Sequence, residues 1–223
     1  MKHIFVDFEM HPIAKEYKEE KVICQREIIE FGAVMLDESF KEITSFKAFV
    51  QPEYVKDMYK KISILTGITP GSLAGAKKFN SVFFDFVTWC SSLDSQYTVY
   101  AWSGSVLEQI LKEMTLKQTV KTPEVEYMLD NWVDFQRDYC ELVKAEKLIS
   151  LERALNSVGQ YFTGNMHDAL WDARNTADLF TVTRNQEEFF SLIESVNKIV
   201  KKENEECHST LGDLIDFSAF CIA

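Results

Sequence analysis

The sequence contains few of the residues that interrupt regular structure. Only eight of its 223 residues are glycine and four are proline. Tight turns depend on these residue types, so their scarcity argues against an all-β protein built from many short strands. Hydrophobic residues account for 46% of the chain and charged residues for 26%, which excludes a disordered or fibrous protein. A chain of this length is expected to form one large domain.

Long apolar runs and paired cysteines are also missing. No stretch of about 18 apolar residues occurs, so no membrane-spanning segment is expected. The cysteines form no CxxC pair and are widely spaced, which is typical of buried thiols in a reducing compartment. The chain enters a strand-like run (HIFVDF) almost at its start, which leaves no room for a signal peptide. These features predict a cytoplasmic protein.

Positive charge is scarce as well. Lysine and arginine number 24 against 35 aspartate and glutamate residues, for a net charge of -11 at pH 7. This balance excludes a surface that holds nucleic acid by bulk positive charge. It is compatible with a site for divalent cations, because clustered carboxylates attract them.

The hydrophobic patterns predict a mixed sheet flanked by helices. Two hairpin-like connections in a row suggest that the sheet begins with antiparallel strands, and the whole order is that of a layered α/β domain. A capping box from Ser105 to Glu108 is expected to begin the helix that follows the fourth strand. Strands are expected at 3–8, 27–36, 45–50 and 97–102, helices at 79–93, 106–114, 151–162, 168–184 and 189–202, and a short strand followed by a helix within 124–142.

Asp7 and Glu9 form the first group of residues that suggests chemistry. They lie two positions apart in an otherwise apolar strand, so both side chains point to the same face of the sheet. Two neighbouring carboxylates repel each other and are costly to bury, and a divalent cation offsets that cost. A solvent-facing strand end is the structural alternative.

His167 and Asp172 form the second group. Asp168 is a candidate N-cap for the helix that follows, and Asp172 lies one turn further along. Histidine is well suited to take a proton from water near neutral pH, and Asp172 adds a third carboxylate. The structural alternative is a surface helix that carries an isolated histidine.

Four segments occur in an order that resembles the DnaQ-like 3′–5′ exonucleases. They are FVDFEM (5–10), EIIEFGAV (27–34), LTGIT (65–69) and HDALWDARNTA (167–177). The last segment is similar to that of the histidine-containing DEDDh variant, in the branch of the sporulation inhibitor KapD and the histone-mRNA 3′ exonucleases. The resemblance spans residues 3 to about 182, so residues 1–200 are taken as the domain and 201–223 as a C-terminal tail that can dock on this chain or on a protein partner.

This resemblance implies an α/β, RNase H-like three-layer fold with a mixed five-stranded sheet. It also implies stepwise hydrolysis at the 3′ end of single-stranded RNA or DNA, with two Mg²⁺ or Mn²⁺ ions. By position, Asp7 bridges both ions, Glu9 binds one of them and supports the attacking water, Asp172 holds the other, and His167 is the general base. Hard oxygen ligands favour these metals over Zn²⁺.

The resemblance also indicates where the 3′-terminal nucleotide binds. Phe8, Met10 and His11 follow or flank the acidic pair and are expected to line its pocket, where a base can stack on an aromatic ring. Leu65, in the LTGIT segment, is a candidate wedge beside the terminal base. Core packing of Phe8 and an ordinary helix end at Gly67 are the structural alternatives.

One position departs from the family pattern. The middle motif of the family carries an Asp, and the corresponding position here is Val106. Three alternatives follow: Glu108 substitutes as a ligand, Asp134 reaches in, or the site lacks one ligand and binds only one ion. Loss of a carboxylate is expected to weaken metal binding and slow the reaction, although water can fill a coordination position. The protein is therefore either a working exonuclease, impaired or not, or a degenerate exonuclease fold that binds nucleic acid or protein.

Overall fold

The computed structural model describes residues 1–195. These residues form one six-stranded mixed sheet with helices on both faces, which confirms the predicted α/β class. The predicted tail at 201–223 and the end of the helix expected at 189–202 lie outside the described residues. The chain is helical over residues 186–195, up to the last residue described.

The sheet contains both antiparallel and parallel pairs of strands. The strands are β1 (Lys2–Pro12), β2 (Arg26–Leu36), β3 (Glu42–Gln51), β4 (Lys77–Lys78), β5 (Tyr97–Ala101) and β6 (Trp132–Asp134). Their order across the sheet is β4-β3-β2-β1-β5-β6. The β1–β2 and β2–β3 pairs are antiparallel, as the hairpin-like connections predict, whereas the other neighbours run parallel. The first strand therefore lies between an antiparallel and a parallel neighbour.

The helices connect and cover these strands. They are α1 (Lys18–Ile23), α2 (Lys60–Thr66), α3 (Pro70–Leu73), α4 (Phe79–Cys90), α5 (Gly104–Leu116), α6 (Pro123–Asp130), α7 (Phe135–Leu142), α8 (Leu151–Ser157) and α9 (Ala169–Arg184). None of the helices in the described part of the chain combines the length and the hydropathy needed to cross a bilayer.

Three details of the sequence prediction were wrong. The sheet has six strands rather than five, because β4 adds a two-residue edge strand. Within 124–142 the predicted strand and helix are β6 and α7, but the prediction missed a further helix, α6, which precedes them because Thr122 caps it and Pro123 starts it. The helix α5 begins at Gly104 with Ser103 as its N-cap, so the capping box predicted from Ser105 to Glu108 does not form.

Alternation along β1 separates two hydrophobic cores. Ile4, Val6 and Phe8 point to one face and join a core with helices α4, α5 and α6. Phe5 points to the other face and packs with Phe135 of α7 and Phe180 of α9. Because side chains alternate along a strand, the carboxylates of Asp7 and Glu9 continue the face that α9 covers.

Candidate active site

Three carboxylates converge where β1 meets the start of α9. Oxygen atoms of Asp7, Glu9 and Asp172 all lie within 4.8 Å of one another. Asp7 and Glu9 come from neighbouring positions on one face of β1, as the sequence pattern predicts. Asp172 comes from the first turn of α9, 163 positions after Glu9. Among the described residues, this is the group of carboxylates that could hold a metal ion.

The close approach of α9 to the sheet depends on a glycine. Gly32 of β2 lies directly opposite Asp7 in the strand register. A Cβ atom at this position would lie 2.1 Å from the backbone carbon of Ala169, so a side chain there is incompatible with the observed helix position. The missing side chain lets the first turn of α9, which carries Asp172, sit beside Asp7.

An ion cluster that is anchored by a buried glutamate holds the start of the same helix. Glu30, which lies opposite Glu9 on β2 and is only 2% exposed, accepts a hydrogen bond from the backbone N–H of Ala169 at 3.1 Å. Lys47 of β3 lies 3.3 Å from Glu30 and 2.6 Å from Asp168. Asp168 is the N-cap that the sequence predicted, and its other oxygen accepts from the N–H of Leu170 at 3.1 Å. Two strands, β2 and β3, thus orient the helix that supplies the third carboxylate.

The carboxylates open into a cavity of about 240 Å³. Its wall combines the end of β1, the loop and helix start after β5, the first residue of α8 and the start of α9. The lining residues are Asp7, Phe8, Glu9, Met10, Trp102, Ser103, Ser105, Val106, Leu151, His167, Asp172 and Thr176.

His167 lines this cavity from the loop just before α9. It is exposed and adopts a left-handed backbone conformation with φ of 62°, which non-glycine residues rarely do. Its backbone N–H interacts with the Asp172 carboxylate and favours the charged form of that group. The imidazole therefore stands at the mouth of a cavity whose floor is acidic.

The pKa values of all three carboxyl groups are raised. Burial raises the pKa of Glu9 to about 9, and the nearby charges of Asp7 and Asp172 add to the shift. Burial also raises the pKa of Asp172 to about 6, and it raises that of Asp7 well above its ordinary value, with a further contribution from Asp172. Three acids in this arrangement repel one another when all are ionised.

This donor set fits a hard divalent cation. One oxygen of Asp172, Oδ2, is buried and has no hydrogen-bond partner. Buried polar atoms are almost always paired, so an unpaired carboxylate oxygen that faces two other acids is a natural metal ligand. The ligands are all oxygens, which suits Mg²⁺ or Mn²⁺.

The residues predicted to bind the terminal nucleotide divide between the cavity and other places. Phe8 and Met10 line the cavity, although Phe8 is only 3% exposed and packs against Phe31. His11 is buried elsewhere: its Nε2 accepts from the N–H of Tyr59 at 2.9 Å, and it borders a separate cavity. Leu65 is exposed on α2 and is not among the lining residues, while Gly67 caps that helix in a left-handed conformation.

Neither proposed substitute for the missing carboxylate reaches the cavity. Glu108 lies on an exposed face of α5 and pairs with Lys112 at 2.5 Å. Asp134 is the N-cap of α7, where it accepts from the N–H of Arg137. Val106 lines the cavity itself and is 7% exposed. The structure therefore contains the arrangement with three carboxylates.

Several residues of the site were missed by sequence reasoning. Glu30 belongs to the EIIEFGAV segment, and an acid in the middle of a buried strand was a usable signal for it. Ser103 and Ser105 flank the middle motif. No sequence pattern indicated that Leu151 and Lys47 belong to the site, because tertiary packing alone brings α8 and β3 to it.

The chain matches the family described as Exonuclease (RNase_T) over residues 4–180. Among curated relatives, it is 29% identical to ERI1 exoribonuclease 2 of Mus musculus over 98% of this chain and 34% of that protein. It is 31% identical to ERI1 exoribonuclease 2 of Danio rerio over 71% of this chain and 31% of that protein. The chain thus spans about a third of the length of these relatives.

A solved structure shows the same fold. The nuclease domain of 3′hExo, a DEDDh family member bound to rAMP, superposes with a TM-score of 0.68 at 21% identity, covering 84% of this chain and 94% of that one. This likeness shows that the chain has the α/β fold of that nuclease domain. The match over most of the chain shows that this protein belongs to the exonuclease family.

Proposed function

We propose that this protein is a 3′–5′ exonuclease that removes nucleotides from the 3′ end of single-stranded nucleic acid, with RNA as the preferred substrate. One observation carries the proposal: Asp7, Glu9 and Asp172 converge within 4.8 Å of one another in a cavity that His167 also lines. The preference for RNA is supported by the exoribonuclease relatives in mouse and zebrafish.

Each residue has a proposed role. Asp7, Glu9 and Asp172 would hold Mg²⁺ or Mn²⁺, each supplying carboxylate oxygens as ligands. Divalent cations at such a site lower the pKa of water, orient the scissile phosphate and stabilise the leaving oxygen. His167 acts as the general base that takes the proton of the attacking water, for which an exposed imidazole at the cavity mouth is suited. Phe8 and Met10 contribute to the wall against which the terminal nucleotide rests.

A specific observation favours a second candidate function. Val106 faces the cavity where the family has an acid, and neither Glu108 nor Asp134 lines it. A site that holds metal too weakly for turnover would leave a fold that binds nucleic acid without cutting it. Calorimetric titration with Mn²⁺ separates the two candidates. The exonuclease predicts saturable Mn²⁺ binding that Asp7→Asn abolishes, whereas the non-catalytic fold predicts no saturable binding.

A gel assay tests the main proposal. A 5′-labelled single-stranded RNA and the DNA of the same sequence are incubated with Mg²⁺, Mn²⁺ or EDTA. We expect a ladder that shortens from the 3′ end, depends on metal, and is lost in His167→Ala and Asp7→Asn proteins. Trimming that persists in both variants would contradict the proposed site.

A further inference from the structure

A second depression adjoins the acidic cavity. It has a volume of about 210 Å³, and Met10 and Ser105 belong to the walls of both. These two residues thus separate the acidic cavity from the second depression, which we call the outer groove. The outer groove is lined by Met10, Gln25, Arg26, Ser105, Glu108, Gln109 and Lys112.

One wall of this outer groove is a single face of α5. Glu108, Gln109 and Lys112 lie three, four and seven residues after Ser105, so the four side chains lie along one stripe of the helix. The stripe begins at the acidic cavity with Ser105 and reaches Lys112 about 10 Å further along the helix axis. Its side chains are all polar.

The opposite wall carries a positive charge without a neutralising partner. Arg26 is exposed at the start of β2, and no carboxylate of residues 1–195 lies within ion-pair distance of its guanidinium. Lys112, by contrast, is paired with Glu108 at 2.5 Å. The chain has a net charge of -11, so an unpaired arginine next to an acidic cavity is a candidate for binding an anion.

The backbone of Arg26 is held firmly in place. Its carbonyl oxygen accepts from Gln109 Nε2 at 2.9 Å and from Cys24 Sγ at 2.8 Å. Arg26 also pairs with Pro12 in the β1–β2 register, three residues beyond Glu9. That register places its Cα about 10 Å from Glu9 along the strand, within the reach of the phosphates that neighbour the one being cut.

We propose that this outer groove is a binding subsite for a single nucleic-acid strand, in which Arg26 contacts a phosphate adjacent to the scissile one. The inference rests on the proposed exonuclease function and adds a contact that makes the site prefer a strand over a mononucleotide. Guanidinium groups bind phosphate oxygens in a bidentate manner, which positions the strand without reading its sequence.

Binding without turnover tests the subsite. Fluorescence anisotropy is measured with a 5′-labelled 12-nucleotide oligouridine RNA in EDTA, at several salt concentrations. We expect Arg26→Gln to weaken binding about three- to tenfold and to reduce the slope of log affinity against log salt by about 0.7, the value for one phosphate contact of a single strand. The matched control is Lys77→Gln, which removes one positive charge from the edge strand β4, outside the outer groove, where Lys77 pairs with Asp85 at 2.6 Å. It is expected to change neither quantity.

Equal behaviour of the two variants would overturn the subsite. Hydrolysis of p-nitrophenyl thymidine phosphate, which reaches only the acidic cavity, is measured in parallel and is expected to be unchanged by Arg26→Gln. If the wild-type protein trims RNA and the Arg26→Gln protein binds oligouridine as tightly as wild type, the subsite is refuted and the exonuclease function stands. If the wild-type protein hydrolyses neither RNA nor p-nitrophenyl thymidine phosphate, but Arg26→Gln weakens oligouridine binding, the exonuclease function is refuted and the subsite stands.

Discussion

At the scale of single residues, Val106 is the position at which the set of carboxylate ligands departs from the family pattern. It is nearly buried and belongs to the core between the sheet and α5, yet it also faces the acidic cavity. An apolar side chain there removes one charge from the set that attracts cations. The remaining three carboxylates still offer hard oxygen ligands, so we expect the departure from the family pattern to weaken metal binding without abolishing it.

Val106→Asp is expected to tighten Mn²⁺ binding about tenfold, because the number of ligand charges tunes cation affinity. It is also expected to raise the trimming rate. Calorimetric titration measures the affinity, and Val106→Asn is the matched control, since it has a similar size and polarity but no charge. The thermal midpoint of each variant, with and without Mn²⁺, separates loss of fold from loss of binding. An unchanged affinity in a folded Val106→Asp protein would mean that the site is limited elsewhere.

At the scale of secondary-structure elements, the position of α9 on β2 assembles the site. Gly32 allows the helix to approach, while Glu30, Lys47 and Asp168 hold its first turn. Asp7 and Asp172 come from elements far apart in the chain, so their proximity depends on how α9 packs against β1 and β2. The EIIEFGAV segment therefore positions the helix that carries Asp172, although it supplies none of the three carboxylates.

Gly32→Ala is expected to lower the free energy of unfolding by about 1–3 kcal/mol or more, because the new Cβ overlaps the backbone of α9. It should also reduce the rise in thermal midpoint that Mn²⁺ produces, since Asp172 moves with the helix. Gly71→Ala is the matched control: a Cβ there meets only Thr69 Oγ1, at 3.6 Å. Denaturant unfolding and thermal melts with Mn²⁺ measure both effects. A Gly32→Ala protein as stable as the control would contradict the close contact.

At the scale of the whole molecule, a second buried acidic network ties α5 to β2. One oxygen of Glu113 accepts from the N–H of Ile28 at 2.8 Å and from Gln109 Nε2 at 3.1 Å. The other oxygen is buried without a partner. Burial raises the pKa of this carboxyl group from 4.5 to about 8, against the hydrogen bond from Ile28. The folded protein therefore holds a proton here that the unfolded chain releases.

This linkage predicts a pH-dependent stability. Between about pH 5 and 8 the folded state binds more protons at Glu113 than the unfolded state, so the free energy of unfolding falls as pH rises, by up to about 1.4 kcal/mol per pH unit from this group. Glu113→Gln should flatten the profile and be more stable than wild type above pH 8. Urea unfolding in EDTA from pH 5 to 9 measures this, with the exposed Glu108→Gln on the same helix as control. If the free energy of unfolding depends on pH in the same way in wild type and Glu113→Gln, Glu113 is not the source of the pH dependence.

Much of the fold was predictable because its signals are local. Alternation identified β1, β2 and β3, and the helical stripe identified α4, all within a few residues of their observed ends. The errors fell where two local signals compete. Ser103 and Ser105 are both capable N-caps, and Ser103 accepts from the N–H of Ser105 in the structure. Between residues 124 and 142 a short edge strand and two helices share one apolar segment, and periodicity does not order them.

The sequence by itself indicated the candidate carboxylates, because strand alternation puts Asp7 and Glu9 on one face and helical spacing puts Asp172 one turn after its cap. The order of the four motif segments indicated the family, which the match over residues 4–180 confirms. Only the tertiary structure decided that Glu108 and Asp134 stay outside the cavity, that His11 is buried against Tyr59, and that Arg26 and α5 line a depression next to it. The physical reason is that these relations join elements far apart in the chain. They depend on side-chain packing between elements, whereas sequence periodicity reports only which face each residue occupies.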